Sequence, residues 1–332
     1  MTKSGVVVSV IIKALNEEKN IERAIRSSIG AIDGFVGEVI LADSNSTDAT
    51  VEIAARYDIK IVQLRNDGER CCGVGPQLGY QAATGKYIYL LDGDMELDPC
   101  FIKNGIKILE SDGLLAGVAG EMTLVGGESY EFKSRKEQGS IYTKEGIQPW
   151  LVCGGLYRRS AIEDAGYFSN RNLHSHEEQE LGRRLTEKGW KLARLNIPAL
   201  KHYVHNDNTL GLIVKRWRSR YINGPGELIR ASFRKPYFYS VIAYFWKYEL
   251  VVLYWLSLLF SLFFSLCFAI AKIISGLLLF VLLLYVIFNK NGPMQGFHSV
   301  LTITAQSMGL LRGLFNRQKS PYQRIECVVI KG

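Results

Sequence analysis

The chain has six cysteines, at 71, 72, 100, 153, 267 and 327, but no Cys-x-x-Cys pair and no framework spacing. Cys71 and Cys72 are adjacent, too close for an ordinary structural bridge, so reduced thiols in a cytosolic domain are expected. Glycine-rich phosphate loops are missing as well: neither GxGxxG nor GxxxxGK[ST] occurs, which excludes the standard nucleotide cradles. A zincin motif fails at its second histidine, because His176-Glu177 is followed by Glu180 where that histidine would stand. The opening residues, MTKSGVVVSVIIKALNEE, turn charged before a full signal-peptide core can form, so no N-terminal signal is expected.

What the sequence has in excess is localised. From Leu250 to Phe288, 39 residues carry one charge, Lys272, whereas a spanning helix takes about 20 residues. Residues 201–247 hold nine Lys or Arg against two acids, and residues 289–332 hold six against one. Two basic flanks imply an even number of crossings. This favours a transmembrane hairpin turning near Lys272, with one long tilted span or a buried helical pair as the competing readings. Of the net charge of +8, the flanks contribute +7 and +5, so residues 1–200 sum to −4. That distribution makes nucleic acid a poor explanation of the charge, and no nucleic-acid partner is expected. RWRSRY, followed by the aromatics of KPYFYSVIAYFWKY, suits anionic headgroups and a membrane interface. Arg218 and Arg220 in this stretch are also candidates for the phosphates of a substrate.

The first half alternates strand and helix. VVVSVII (6–12), EVILA (38–42), KIVQL (60–64) and KYIYLL (86–91) read as strands. Between them, EEKNIERAIRSSIGAI, TVEIAARY and GPQLGYQAAT read as helices, with Ser46, Thr47 or Asp48 as a cap and Lys13–Asn16 as a loop. The pattern predicts an α/β fold with a mainly parallel sheet, whose ligands sit beyond the carboxyl ends of the strands. Those ends carry Asn16-Glu17, Asp43-Ser44 and Asp92-Gly93-Asp94. Two hard carboxylates on one tight turn suit Mg²⁺ or Mn²⁺ and, through it, a diphosphate. The same triplet also serves as an ordinary turn, since Asp and Gly are turn formers.

SVIIKALNEEKNIERAI, EVILADSNSTDATVEIA and ATGKYIYLLDGDMEL resemble the nucleotide-binding half of glycosyltransferase family 2, inverting enzymes with the GT-A (Rossmann-like) fold. The resemblance continues through CGGLYRRSAIEDAGYF (153–168) and HEEQELGRRLTEKGW (176–190). It implies that Ala14, Leu15, Glu17 and Asp43 hold the base and ribose of a nucleotide-sugar donor, and that Asp92 and Asp94 form the DxD motif. It also implies that Glu178 replaces the family's aspartate as the base that deprotonates the acceptor. The alternative for Glu177, Glu178 and Glu180 is a set of first-turn acids favoured by the helix dipole. His202 is placed near the metal, with His205 beside it; a structural or interfacial histidine is the other reading. The acceptor side is expected at Trp150, Gly154, Gly155 and Glu177, with 120–148 as a flap that orders on donor binding.

The sequence departs from the family at Pro76, where many relatives carry an Arg near the diphosphate; Arg65 and Arg70 are the available substitutes. It also lacks the QxxRW element of processive synthases, which points to transfer of single sugars. The expected organisation is a GT-A domain at 1–205, a basic aromatic interface segment at 206–249, a two-helix transmembrane hairpin at 250–288 and a basic cytoplasmic segment at 289–332. The expected activity is metal-dependent inverting transfer to a lipid-linked or glycan acceptor in bacterial-type envelope or exopolysaccharide assembly. The expected location is the cell membrane, multi-pass, with the catalytic domain cytoplasmic. The alternatives are a polyprenyl-phosphate sugar synthase, a noncatalytic membrane-tethered nucleotide-sugar binder and a nucleotidyl transferase.

Overall fold

In the computed structural model, residues 7–126, 144–204, 209–263 and 293–332 are described, together with 273, 276, 277 and 280. The chain divides into two compact units, Met1–Asp207 with Gln318–Gly332, and Asn208–Arg317.

The first unit begins with the alternation expected of it. β1 (Val8–Ala14), α1 (Ile21–Ala31), β2 (Gly37–Asp43), α2 (Thr50–Ala54), β3 (Lys60–Leu64), α3 (Val74–Ala82) and β4 (Tyr87–Asp92) follow in order. The apolar runs of β1 and β4 are covered on both faces, as buried parallel strands require. β3, β2, β1 and β4 lie side by side and parallel. Alternation along β1 sends Val10 and Ile12 into one apolar cluster with α1, and Ile11 into a second with Leu78 of α3.

The remaining strands correct the expectation of a mainly parallel sheet. β5 (Met95–Leu97), α4 (Phe101–Ser111), β6 (Leu115–Gly126), β7 (Gly146–Gln148), β8 (Gly155–Arg158), α5 (Arg159–Asp164), α6 (Glu177–Glu187) and β9 (Lys191–Val204) come next. β8 pairs antiparallel with β4 and β6, and β9 pairs antiparallel with β5 and β7, so the sheet is mixed. The physical reason is that these partners lie far apart in sequence, β8 pairing with β4 across residues 93–154 and β9 with β5 across residues 98–190, so no single β-helix-β crossover fixes their direction; β9 runs parallel to β6.

β1 also runs further than its apolar letters, so Lys13 and Ala14 are strand rather than loop. Residues 289–332 are not one tail. Residues 293–315 form a helix of the second unit, while β10 (Cys327–Lys331) rejoins the first unit, antiparallel to β3 at the sheet's edge. Gln81 and Ile325 hold that return reciprocally, Gln81 donating to the Ile325 carbonyl at 3.2 Å and accepting from its N–H at 2.9 Å. Buried Arg171 donates to the carbonyls of Gln323 and Arg324 and pairs with Glu69, which also binds Lys319 at 2.5 Å.

The second unit contains α7 (Thr209–Arg218), α8 (Gly224–Ala231), α9 (Phe238–Phe263) and α10 (Pro293–Phe315). α8 and α10 touch through glycine: a Cβ at Gly226 would stand 1.9 Å from the Leu310 carbonyl oxygen, and one at Gly313 would stand 2.1 Å from that of Asn223. Trp246, Leu250, Leu253, Trp255 and Leu256 of α9 are exposed. Among the described residues no helix is long and apolar enough to cross a membrane. Most of the expected hairpin, beyond Phe263, lies outside the described residues, as do His205 and the 127–143 part of the expected flap.

Candidate active site

The site forms where β1 and β4 end. Parallel register sets Lys13 opposite Asp92, and the Gly93 N–H donates to the Lys13 carbonyl at 2.9 Å. Neighbouring strands lie about 4.8 Å apart, so side chains at paired positions meet. Lys13 Nζ stands 3.3 Å from Asp92 Oδ1 and 3.4 Å from Glu177 Oε1. Burial works against its charge, but Asp92 and Glu177 outweigh it and hold the ammonium well above its ordinary value. Burial pushes the Asp92 carboxyl up, with Lys13 pulling the other way.

After Asp92 the chain turns through Gly93 into β5. Gly93 does not need a left-handed backbone here; it needs the absence of a side chain. A Cβ would stand 3.0 Å from Glu17 Cγ and 3.1 Å from Ala14 Cβ. Antiparallel pairing of Met95 with His202 then brings β9 beside the turn, and the Tyr203 N–H donates to the Asp94 carbonyl at 2.9 Å. Asp94 Oδ2 and His202 Nε2 are 3.1 Å apart. This carboxylate–imidazole pair suits a borderline divalent cation. Among the described residues no group of three or more His, Cys, Asp or Glu forms a metal cluster, so water and diphosphate oxygens would complete the shell.

Glu177 and Glu178 open α6, whose Leu181 and Leu185 pack into the same apolar cluster as Ile11 and Leu78. The helix therefore covers the face of β1 that presents Lys13. Glu178 Oε1 accepts from the Cys153 N–H at 2.9 Å. Burial, then the neighbouring charges of Glu177 and Asp92, raise its carboxyl to about 8 against the pull of Lys13. A carboxylate near neutrality at a strand-end crevice suits general-base work. The same residue is also a first-turn acid, so both readings of Glu178 describe one position.

The other expected residues are distributed as follows. Ala14 is buried at the end of β1 and Leu15 is exposed. Glu17 accepts from Asn20 at 3.0 Å, and its N–H donates to Thr50 Oγ1 at 2.7 Å. Asp43 is fully buried and accepts from the Ser46 N–H and from Gln63 Nε2, both at 2.9 Å. It lies on β2 opposite Ala14, one position out of phase with Lys13 and Asp92, and so faces the other side of the sheet. Gly154, at φ +91°, and Gly155 seat β8 on β4: a Cβ at Gly154 would stand 2.6 Å from the Leu90 carbonyl oxygen. Trp150 lies under the Arg183 guanidinium, 5.8 Å from it. Arg218, in the last turn of α7, and Arg220, at φ 61°, belong to the second unit. Pro76 is buried in α3, Arg65 is exposed, and Arg70 donates to the carbonyls of Ser44 and Asn45.

Residues 9–165 match the model described as glycosyl transferase family 2. The chain carries a glycosyl transferase family 2 domain. Glycosyltransferase AglE of Haloferax volcanii is 25% identical over 201 residues, 58% of this chain and 65% of that protein. The dolichol-phosphate mannosyltransferase of Pyrococcus furiosus is 26% identical over 113 residues, 33% of this chain and 32% of that one. The chain thus spans less than two thirds of the length of either relative. Among solved structures, mannosyltransferase PcManGT from Pyrobaculum calidifontis, in complex with GDP-Man and Mn²⁺, is similar at a TM-score of 0.55. The likeness covers 94% of this chain and 88% of that chain at 15% identity, and it shows a shared fold.

Within this family 2 domain, sequence reasoning missed Lys13. Its signal was a single cation closing the otherwise apolar run VVVSVII, at the same strand end that carries the expected ligands.

Proposed function

We propose that the chain is an inverting glycosyltransferase that moves a sugar from a nucleotide-sugar donor to a lipid-linked acceptor. The observation that carries this is the convergence, at one strand end, of the Asp94–His202 pair, the Asp92–Lys13–Glu177 bridge and the raised carboxyl of Glu178. Glu178 takes the acceptor's hydroxyl proton while that oxygen bonds to the anomeric carbon from the face opposite the diphosphate. The anomeric carbon–oxygen bond breaks and the nucleoside diphosphate leaves. Asp94 and His202 would hold Mg²⁺ or Mn²⁺, with Asp92 reaching the ion through a bound water, and the metal would neutralise charge on the departing diphosphate. Leu15, Glu17 and Asp43 are assigned to the nucleoside, and Trp150, Gly154 and Gly155 to the acceptor side.

The membrane part of the proposal is supported by the basic flanks, the apolar 250–288 segment and the exposed Trp and Leu side chains of α9. In that reading Arg218 and Arg220 meet phosphates of the donor or of a lipid, the 250–288 segment forms a hairpin, and the catalytic domain faces the cytoplasm. A second reading, direct transfer to polyprenyl phosphate, is favoured by the similarity to the Pyrococcus furiosus dolichol-phosphate mannosyltransferase. It predicts an acid-labile product formed without a preassembled oligosaccharide.

The test is incubation of membranes containing the full chain with labelled nucleotide sugars, with and without chelator. Donor-dependent labelling of lipid that is lost with chelator, and reduced at least ~100-fold in Asp94→Ala, is expected. No donor consumed across a broad panel, or unchanged transfer by Asp94→Ala, refutes the proposal.

A further inference from the structure

Lys13 has a place in this site that neither the donor nor the acceptor assignment explains. It is the last cation of β1, with a side chain only 18% exposed, and its two partners come from different elements: Asp92 from the end of β4 and Glu177 from the first turn of α6. Asp92 opens the turn that leads to Asp94, whereas Glu177 immediately precedes Glu178. One ammonium therefore ties the strand-end turn to the start of the helix bearing the candidate base.

The surroundings are built to admit this side chain. Gly75 of α3 faces it, and a Cβ there would stand 3.0 Å from Lys13 Cβ. Without the lysine, Asp92 and Glu177 would be left as uncompensated like charges in a half-buried place, and the helix start would be pushed away from the strand end.

We propose that Lys13 is a positioning residue for the transfer reaction, holding the Glu177–Glu178 turn in register with the Asp92–Asp94 turn. This rests on the glycosyltransferase reading for its kinetic consequence, though not for the tether itself. A displacement of the base by a fraction of an ångström leaves donor binding intact and slows attack, since the proton acceptor no longer lies on the hydroxyl's path. The signature is a fall in kcat with little change in donor KM.

The experiment compares full-length wild type, Lys13→Met and Lys13→Arg by donor kinetics and by hydrogen exchange of peptides covering 176–185. Lys13→Met is expected to lower kcat about 10-fold or more and to leave donor KM within about threefold. It is also expected to speed exchange at Glu180 and Leu181, and Lys13→Arg to restore most of both. A Lys13→Met/Glu177→Gln double variant removes the tether and also the like-charge repulsion, so its kcat should rise above that of Lys13→Met while staying below wild type if the tether is what matters. A donor KM raised about 10-fold at unchanged kcat would make Lys13 a donor-binding cation and overturn the proposal. Exchange unchanged at 176–185 would overturn it as well. If wild type turns over no donor, the functional reading fails, and the exchange comparison still decides the tether.

Discussion

At the scale of single residues the site is governed by how many acids meet in one buried place. Asp92, Glu177 and Glu178 are served by one cation, Lys13, and the strain of that arrangement appears at Glu178, raised to about 8. Because a base must be ionised to act, kcat/KM should climb roughly tenfold per pH unit below about 8 and level off above it; a flat profile from pH 6 to 9 would remove Glu178 from the role. The sign for stability is opposite. The fold favours protonated Glu178 more than the unfolded chain does, so its contribution is complete below the ordinary carboxyl value of 4.5 and is lost as pH rises through about 8. Glu178→Gln should therefore raise the melting temperature at pH 9 more than at pH 5, as calorimetry at the two values would read. The turn at Asp92 and Asp94 was legible from the letters, because a short polar motif after an apolar run marks a strand end, whereas the assignments of Glu178 and His202 came only from the family resemblance. Lys13 was not, because its meaning comes from a strand pairing and a helix more than 160 residues away.

At the scale of elements, the legible part of the fold is the part whose contacts are local in sequence. β1, β2, β3 and β4 are separated by single helices, and periodicity alone delivers them. The other half of the sheet escapes the same reading because β8 reaches β4 antiparallel, and β9 reaches β5 antiparallel and β6 parallel, only through tertiary contacts between distant segments. Asp43 shows the cost of reading strand ends without faces: it shares an edge with Asp92 but points to the other side of the sheet. The packing of α3 on β1 gives a direct check. A Cβ at Gly79 would stand 2.2 Å from Ile11 Cγ2 and 3.3 Å from Ala42 Cβ. Gly79→Ala should lower stability by about 1–3 kcal/mol despite alanine's better helix propensity, as denaturant unfolding would measure. A neutral or stabilising result would mean that α3 can slide on the sheet.

At the scale of the whole molecule, the first unit is discontinuous: its last strand follows the entire second unit in sequence. Composition could not reveal this, since CVVIK is short and lies in a stretch whose most visible property is its positive charge. Ending the chain at residue 317 would remove β10, open the outer edge of β3 and strip Arg171 of the carbonyls of Gln323 and Arg324. Light scattering should then report association through the bare edge, and β3 amides should lose exchange protection; a monodisperse truncation with protected β3 would contradict this. The returning strand also sets an order of events in synthesis. The donor-side sheet leaves the ribosome early, yet its edge stays unsealed until residue 331 has emerged, after the most apolar stretch of the chain. Completion of the first unit therefore waits until the chain's longest apolar stretch, residues 250–288, has already been made.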